Sequence, residues 1–230
     1  MKKNSKRFLQ LKALIKKQFY SYQEASLLIK ELSTTNFNES IEVHIKLNFN
    51  NKDITHQLRT NLMLPHGTGK PKKIAVFTED SNTSKMLSYG AIIAGFDNVL
   101  NQIQTKSFKF NVLLTTPNLV PILTKFGKIL GPKNLMPSSK NGTVTEDLKQ
   151  TILDYTQNKI EYKTDKTGII HIICGTKIFS VQNIQENLLA IYNSIYKNKP
   201  LNLKGQYIKS FYICMTMSPS ILIDLNSFKL

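Results

Sequence analysis

Four lysines, Lys125, Lys128, Lys133 and Lys140, are spread through a stretch that also holds Gly127, Gly131, Pro132, Pro137 and Gly142. Ammonium groups on a Gly/Pro-rich segment can follow a phosphate backbone without reading its sequence. The same composition also fits a solvated surface loop. Within it, Gly127-Lys128-Ile129-Leu130-Gly131-Pro132-Lys133-Asn134 mimics a nucleotide-binding P-loop. The match fails, because that loop needs backbone N–H groups around the phosphate and a hydroxyl for the metal. Pro132 stands at the second glycine position and has no N–H, and Asn134 replaces the hydroxyl residue. Gly67-Thr68-Gly69-Lys70 lacks the spacing as well.

Other chemistry has no carrier in the sequence. Cys174 and Cys214 are the only cysteines, and His44, His56, His66 and His171 lie far apart, with no Cys-x-x-Cys or His-x-x-x-His spacing to hold a metal. Paired carboxylates, Ser-His-Asp or Cys-His sets can be assembled only by arbitrary choice. The chain is therefore expected to be no enzyme and to use no cofactor, metal or small-molecule substrate. Both cysteines sit among alternating apolar residues and read as small core side chains in a reducing compartment.

The elements that must position the lysines follow from periodicity. Ser21 to Leu32 opens with a capping box, Ser21 and Glu24, and continues with Ala25, Leu28, Ile29 and Leu32 at helical spacing. From Ile41 to Phe49 apolar and polar residues alternate, which predicts a half-buried strand. A second extended stretch, Leu58 to Leu64, runs into Pro65-His66-Gly67-Thr68-Gly69-Lys70-Pro71, whose prolines and glycines mark a linker. Beyond it, short apolar strands at Ile74–Phe77 and Asn111–Thr115 alternate with helices near Asn82–Tyr89 and Asn118–Phe126, the pattern of a parallel α/β unit. A third helix, with Thr145 as N-cap, runs to about Asn158. Glu161–Lys163 and Ile169–Cys174, joined at Asp165-Lys166-Thr167-Gly168, predict a hairpin. Val181–Lys197 reads as an amphipathic helix, and Tyr207–Met217 as a final alternating strand.

The ends of the chain thus share a helix-plus-antiparallel-strand character that the middle lacks. The expected fold class is α/β: an α+β domain built from residues 1–66 and 159–230, interrupted by an inserted Rossmann-like α/β domain at 67–158. Two linkers side by side are expected to act as a hinge.

The 230 residues include 31 Lys plus Arg against 15 Asp plus Glu, a net charge of +16, with 41% hydrophobic residues. That apolar content is enough for a core, so a disordered basic tail is excluded and a folded polycation is left. Residues 1–66 and 159–230 together carry 20 basic and 9 acidic side chains, net +11, against 11 and 6, net +5, for 67–158. The terminal domain is the expected polyanion surface, and the Lys125–Lys140 stretch a weaker one. No apolar run can span a bilayer and Trp is absent, which argues against a membrane partner. The first twenty residues hold seven basic side chains and no acid, and read as a basic helical arm rather than a targeting segment. Only Arg7 and Arg59 could read guanine edges with a forked guanidinium, so lysine charge, shape and 2′-OH contacts point to folded RNA. Phe37, in a polar stretch, could stack on a base or close the core above the next strand; Met217 at a strand end has the pattern of a core residue.

Several blocks carry a resemblance: Phe37-Asn38-Glu39-Ser40, Leu64-Pro65-His66-Gly67-Thr68-Gly69-Lys70, Leu130-Gly131-Pro132-x-x-Leu135-Met136-Pro137, Lys166-Thr167-Gly168-Ile169-x-His171 and Thr216-Met217. In order, and from about residue 5 to about residue 225, the sequence resembles the large-subunit ribosomal protein L-one family, most of all its cyanobacterial and plastid members. The resemblance implies direct binding of large-subunit rRNA in the mobile stalk beside the E site, with transient contact to E-site tRNA and help in releasing deacylated tRNA. It also allows the alternative of a translational repressor that binds its own mRNA through the same surface. The rRNA-binding residues it implies are Phe37, Glu39, Ser40, Lys166, Thr167, His171, Thr216, Met217 and Ser218, with Lys125, Lys128, Lys133 and Lys140 as a secondary RNA- or tRNA-facing loop. Ser218 stands where the family has glycine; a positive φ there would strain the turn. With its Asn-, Lys- and Ile-rich composition and a match that begins near Met1, the chain is expected to be made inside a plastid without a cleaved presequence, a bacterial cytoplasmic origin being the alternative.

Overall fold

The computed structural model describes residues 5–48, 58–79, 83–200 and 205–228. Phe49 and Asn82, predicted as element ends, lie outside them. Helices α1 (Lys6–Leu14) and α2 (Tyr22–Glu31) open the chain. The capping box of α2 is complete: Ser21 Oγ accepts from Glu24 N at 3.1 Å, and Ser21 N donates to Glu24 Oε2 at 3.2 Å. Strands β1 (Ser40–Leu47) and β2 (Arg59–Met63) follow. The middle holds β3 (Ile74–Phe77), α3 (Thr83–Ser88), β4 (Ile93–Ala94), α4 (Phe96–Gln104), β5 (Val112–Thr115), α5 (Val120–Thr124), α6 (Gly127–Leu130) and α7 (Leu148–Thr156). The chain ends with β6 (Lys159–Lys163), β7 (Ile169–Thr176), α8 (Val181–Lys197), β8 (Ile208–Met215) and β9 (Ile221–Ile223). It divides into two compact units, a terminal one of residues 1–69 and 162–230 and an inserted one of residues 70–161.

In the terminal unit, an antiparallel sheet has the order β7-β1-β8-β9. Alternation decides its two faces. Ile41, Val43, Ile45 and Leu47 of β1 are buried, together with Ile170, Ile172 and Cys174 of β7 and Phe211 and Ile213 of β8. Helices α2 and α8 pack on this sheet, and Ala25 and Ile29 of α2 and the stripe Ile184, Leu188, Ile191, Ile195 of α8 have no exposed surface. Each such Val, Leu, Ile or Phe side chain contributes roughly 1.5–3 kcal/mol relative to being left in water. Residues on the other face, among them Glu42, His44, Lys46, His171 and Ile173, stay partly or fully exposed.

In the inserted unit, a parallel sheet runs β4-β3-β5. Its central strand is buried on both faces, which explains its unbroken apolar sequence. Ile74 and Val76 pack with Leu114, Leu148, Ile152 and Tyr155, while Ala75 and Phe77 pack with Val99, Ile103, Leu123, Leu130 and Leu135.

Four local expectations are corrected. First, α7 is capped by Asp147, whose carboxylate accepts from Gln150 N at 3.1 Å, not by Thr145. Val144 still bridges Thr115 and Thr145 N donates to Thr115 O, so the chain stays extended there. Second, β6 and β7 do not form a hairpin: β6 pairs with β2, and β7 with β1, leaving one isolated bridge at Thr164 and Ile170. The turn itself forms, but β1 matches the full alternating length of β7 and β6 does not. Third, the Lys125–Thr143 stretch is no long loop. Helix α6, a 3₁₀ turn at Ser139–Asn141 and the buried Leu130, Leu135 and Pro137 pin it to the core. Finally, the last alternating strand stops at Met215, so Met217 is outside it and half exposed.

Asn187 on α8 ties the linker motif to the terminal unit. Fully buried, it donates to Gly67 O at 2.9 Å and Cys174 O at 2.7 Å and accepts from His66 N at 3.1 Å. Gly69 has φ 71°, and a Cβ there would meet Phe179 and Thr176 at 2.8 Å, so the motif needs glycine for both reasons.

Candidate nucleic-acid interface

The strand order β7-β1-β8 brings three loops together at one end of the antiparallel sheet: the turn after β7, the segment before β1 and the turn after β8. Each exposes one large apolar side chain, Ile178 at 77%, Phe37 at 51% and Met217 at 49% exposure. Apolar side chains this exposed on three adjacent loops are not core. Backbone bonds hold the loops in step: Lys177 N donates to Glu39 O at 2.9 Å and Thr216 N to Ser40 O at 3.2 Å. The Thr216 hydroxyl accepts from Ser40 N at 3.3 Å.

Cations surround this cluster. Lys177 Nζ donates to Thr35 O, and Lys30 Nζ to Lys177 O, each at 2.6 Å. Burial, then the neighbouring Lys177 charge, holds Lys30 below the usual lysine value. Arg7 on α1 donates from Nη1 to Thr34 Oγ1 at 3.1 Å and from Nη2 to Met217 O at 2.9 Å. Glu39 faces inward: it is 1% exposed and accepts from Thr35 Oγ1 at 2.6 Å through Oε1, while Oε2 is buried with no hydrogen-bond partner. In this conformation it shapes the loop. Ser40 is buried too.

Ser218 sits in the turn without strain, since it is not among the residues with positive φ. Its hydroxyl accepts from Met215 N at 2.9 Å and donates to Pro219 O at 3.1 Å. A serine at this position thus closes the turn with its side chain.

Lys166 and Thr167 are at the other end of the sheet, where Leu47 N donates to Gly168 O. The eight residues of β7 separate the two ends by roughly 25 Å at about 3.3 Å per residue. Lys166 is exposed. The Thr167 hydroxyl is engaged by Asp165, whose carboxylate also accepts from Thr167 N at 2.9 Å and Ile169 N at 2.7 Å. Burial pulls the Asp165 carboxyl up, but these hydrogen bonds, Ile169 N foremost, outweigh it and hold the group below the usual value.

His171 lies midway, on the open sheet face. Its Nδ1 is 2.8 Å from Nδ1 of His44, so one ring donates and the other accepts, and the pair cannot hold a proton on both atoms. His44 Nε2 also meets Cys214 Sγ at 3.3 Å. Burial and the His171 charge, against Glu42, lower the His44 pKa. Burial, with Glu42, pushes the Cys214 thiol up to about 11. Cys174 is wholly buried. Among the described residues no cluster of three or more His, Cys, Asp or Glu could hold a metal ion.

In the inserted unit Lys125, Lys128 and Lys133 are exposed around α5 and α6, and Lys133 Nζ sits 4.0 Å over the Phe108 ring. Lys140 belongs to the 3₁₀ turn. No described helix is long and apolar enough to cross a membrane.

The structure therefore gathers Phe37, Glu39, Ser40, Thr216, Met217 and Ser218 at one end, and sets Lys166, Thr167 and His171 apart from them. Sequence reading missed Ile178, Lys30, Lys177 and the Arg7 contacts. Nothing in the sequence showed that Arg7 would bridge two distant loops, or that of the neighbours Ile178 and Phe179 the former would stay outside.

Comparisons with known proteins identify the family. The sequence model of the Ribosomal protein L1p/L10e family matches residues 29–219. The chain is 43% identical over 229 residues to the large ribosomal subunit protein uL1c of Rhodomonas salina, covering 100% of this chain and 98% of that one. It is 44% identical over 224 residues to uL1c of Cyanidioschyzon merolae (97% and 98% covered) and 42% identical over 227 residues to uL1 of Prochlorococcus marinus (99% and 97% covered). A family match reaching from within α2 through the β8–β9 turn, with relatives of this identity over the whole chain, leaves one assignment: the chain belongs to the Ribosomal protein L1p/L10e family.

Proposed function

We propose that this protein is held in the large ribosomal subunit by direct contact between the three-loop end of its terminal unit and the rRNA of the mobile stalk beside the E site. Membership of the family supports a structural large-subunit role, and the mixture of plastid-type algal and cyanobacterial relatives supports a place on the plastid ribosome. The observation that carries the rRNA reading is the cluster itself: Phe37 and Met217 stand exposed among Arg7, Lys30 and Lys177, on the unit that bears +11 of the net charge. An aromatic face stacks on an unpaired base or a ribose, and the two lysines meet the flanking phosphates. The inserted unit, at +5 and with Lys125, Lys128, Lys133 and Lys140, makes the weaker, transient contact with E-site tRNA and assists its release. The two connections at Gly69/Lys70 and Glu161/Tyr162 act as the hinge that lets it move.

Titration of the full chain with a transcript of the stalk segment and with random duplex RNA of equal length tests this. Binding is expected to favour the stalk transcript and to fall steeply with salt. Equal affinity for both RNAs removes the specific claim.

A further inference from the structure

We infer that Arg7 is a positioning residue for the proposed RNA site: its guanidinium clasps the two loops that present Phe37 and Met217. The inference rests on the reading of that loop cluster as the RNA surface. Of 31 basic residues only Arg7 and Arg59 are arginines. A lysine ammonium is a compact point donor, whereas a guanidinium is a planar fork that holds two acceptors at a fixed separation. Arg7 uses the fork in this way, with Thr34 Oγ1 at 3.1 Å on one nitrogen and Met217 O at 2.9 Å on the other.

The two acceptors are 27 and 210 residues away in sequence, so no local turn brings them together. The helix that carries Arg7 is itself anchored. Ser5 Oγ caps it by accepting from Phe8 N at 3.2 Å, and Leu11 is buried one turn on. Thr216 already ties the β8–β9 turn to Ser40, but the exposed residue beyond it is Met217, and the guanidinium fixes that carbonyl directly. On the other side Thr34 opens the segment that ends in Phe37. Arg7 thus sets the spacing between an aromatic and a thioether side chain on separate loops. Among the described residues no carboxylate pairs with it, so it also leaves a positive charge beside the cluster.

The test must separate clasp from charge. In the full chain, Arg7→Lys keeps the charge and loses the fork, while Thr34→Val removes one acceptor and keeps Arg7. Against the stalk transcript each is expected to weaken binding about five- to tenfold, through a faster off-rate, with an unchanged dependence on salt. The double variant should bind no more weakly than the worse single one, because both remove the same link. Wild-type affinity in either single variant, or losses that multiply in the double, overturns the clasp. So does an Arg7→Met variant whose log–log salt slope falls by about one while Thr34→Val is silent, since Arg7 would then be a phosphate contact. Phe37→Ala in the same series tells the two readings apart. If it too binds like wild type, the RNA surface is wrong; if it weakens binding and the clasp variants do not, only the clasp fails.

Discussion

The terminal and inserted units solve the burial of a sheet differently, and the difference decides what each can offer a partner. In the inserted unit, helices cover both faces of a parallel sheet, so β3 is apolar throughout and only helix surfaces and turns reach solvent. In the terminal unit α2 and α8 bury one set of alternating residues, and the other face, with the loops at both of its ends, is open. A one-sided sheet can carry recognition on strands and loops together, whereas a two-sided one carries it on its rim. The charge follows the same division, +11 against +5, whichever pair of boundaries is used.

The largest expected effect is on the terminal unit's own integrity. Asn187→Leu leaves Gly67 O, Cys174 O and His66 N without their partner in a buried place. It should cost about 3 kcal/mol of stability in urea unfolding. A loss under 1 kcal/mol would mean that the linker motif is held by something else. Next, Phe37→Ala should weaken stalk RNA binding about tenfold or more, the cost of one lost base stack, with native circular dichroism. Replacing Lys125, Lys128 and Lys133 together by alanine should change it less than about threefold, since these charges belong to the inserted unit and not to the proposed site. The reverse ranking would interchange the roles of the two units.

Lys72 tests the inserted unit through pH. It donates to Lys159 O, and burial, partly offset by Glu161, lowers its pKa to about 8. The unfolded chain keeps an ordinary lysine, so between about pH 8 and 10.5 it binds more protons than the folded one. Burying the charge therefore costs stability in full below pH 8, and the cost fades as pH rises through that window. Lys72→Met should be at least as stable as wild type at pH 7, by up to about 2 kcal/mol, and should lose this rise. A clear destabilisation at pH 7 would show that the bond to Lys159 O outweighs desolvation. A more local test of the inserted unit is Asn158, a non-glycine at φ 106° just before β6. Asn158→Gly should raise stability by about 1 kcal/mol; a lower melting temperature would remove strain as its explanation.

Elements with strong periodicity were legible in the sequence. The α2 capping box, the alternation of β1 and the stripe of α8 appear where their spacing puts them. Helix α4 was missed although Phe96, Val99, Leu100 and Ile103 have helical spacing, because Gly95 at its start gives no side-chain cap. The β6–β7 pairing was misjudged because a turn signal is local and strand partnership is not. Short 221–223 strand β9 gave no signal beyond three apolar residues. At the site, Phe37 and Thr216 could be named from motif resemblance, but neither motif nor composition shows that Glu39 points inward. Nor could they show that Ile178 joins Phe37 and Met217, since that depends on which loops the order β7-β1-β8 makes neighbours.

The claim that the three-loop end of the terminal unit is the RNA surface is tested most directly by amide hydrogen exchange of the full chain with and without the stalk transcript. Protection should concentrate in residues 34–40, 177–180 and 215–219, with little change in 120–137. Protection centred on 120–137, with the three loops exchanging as in the free protein, would contradict it.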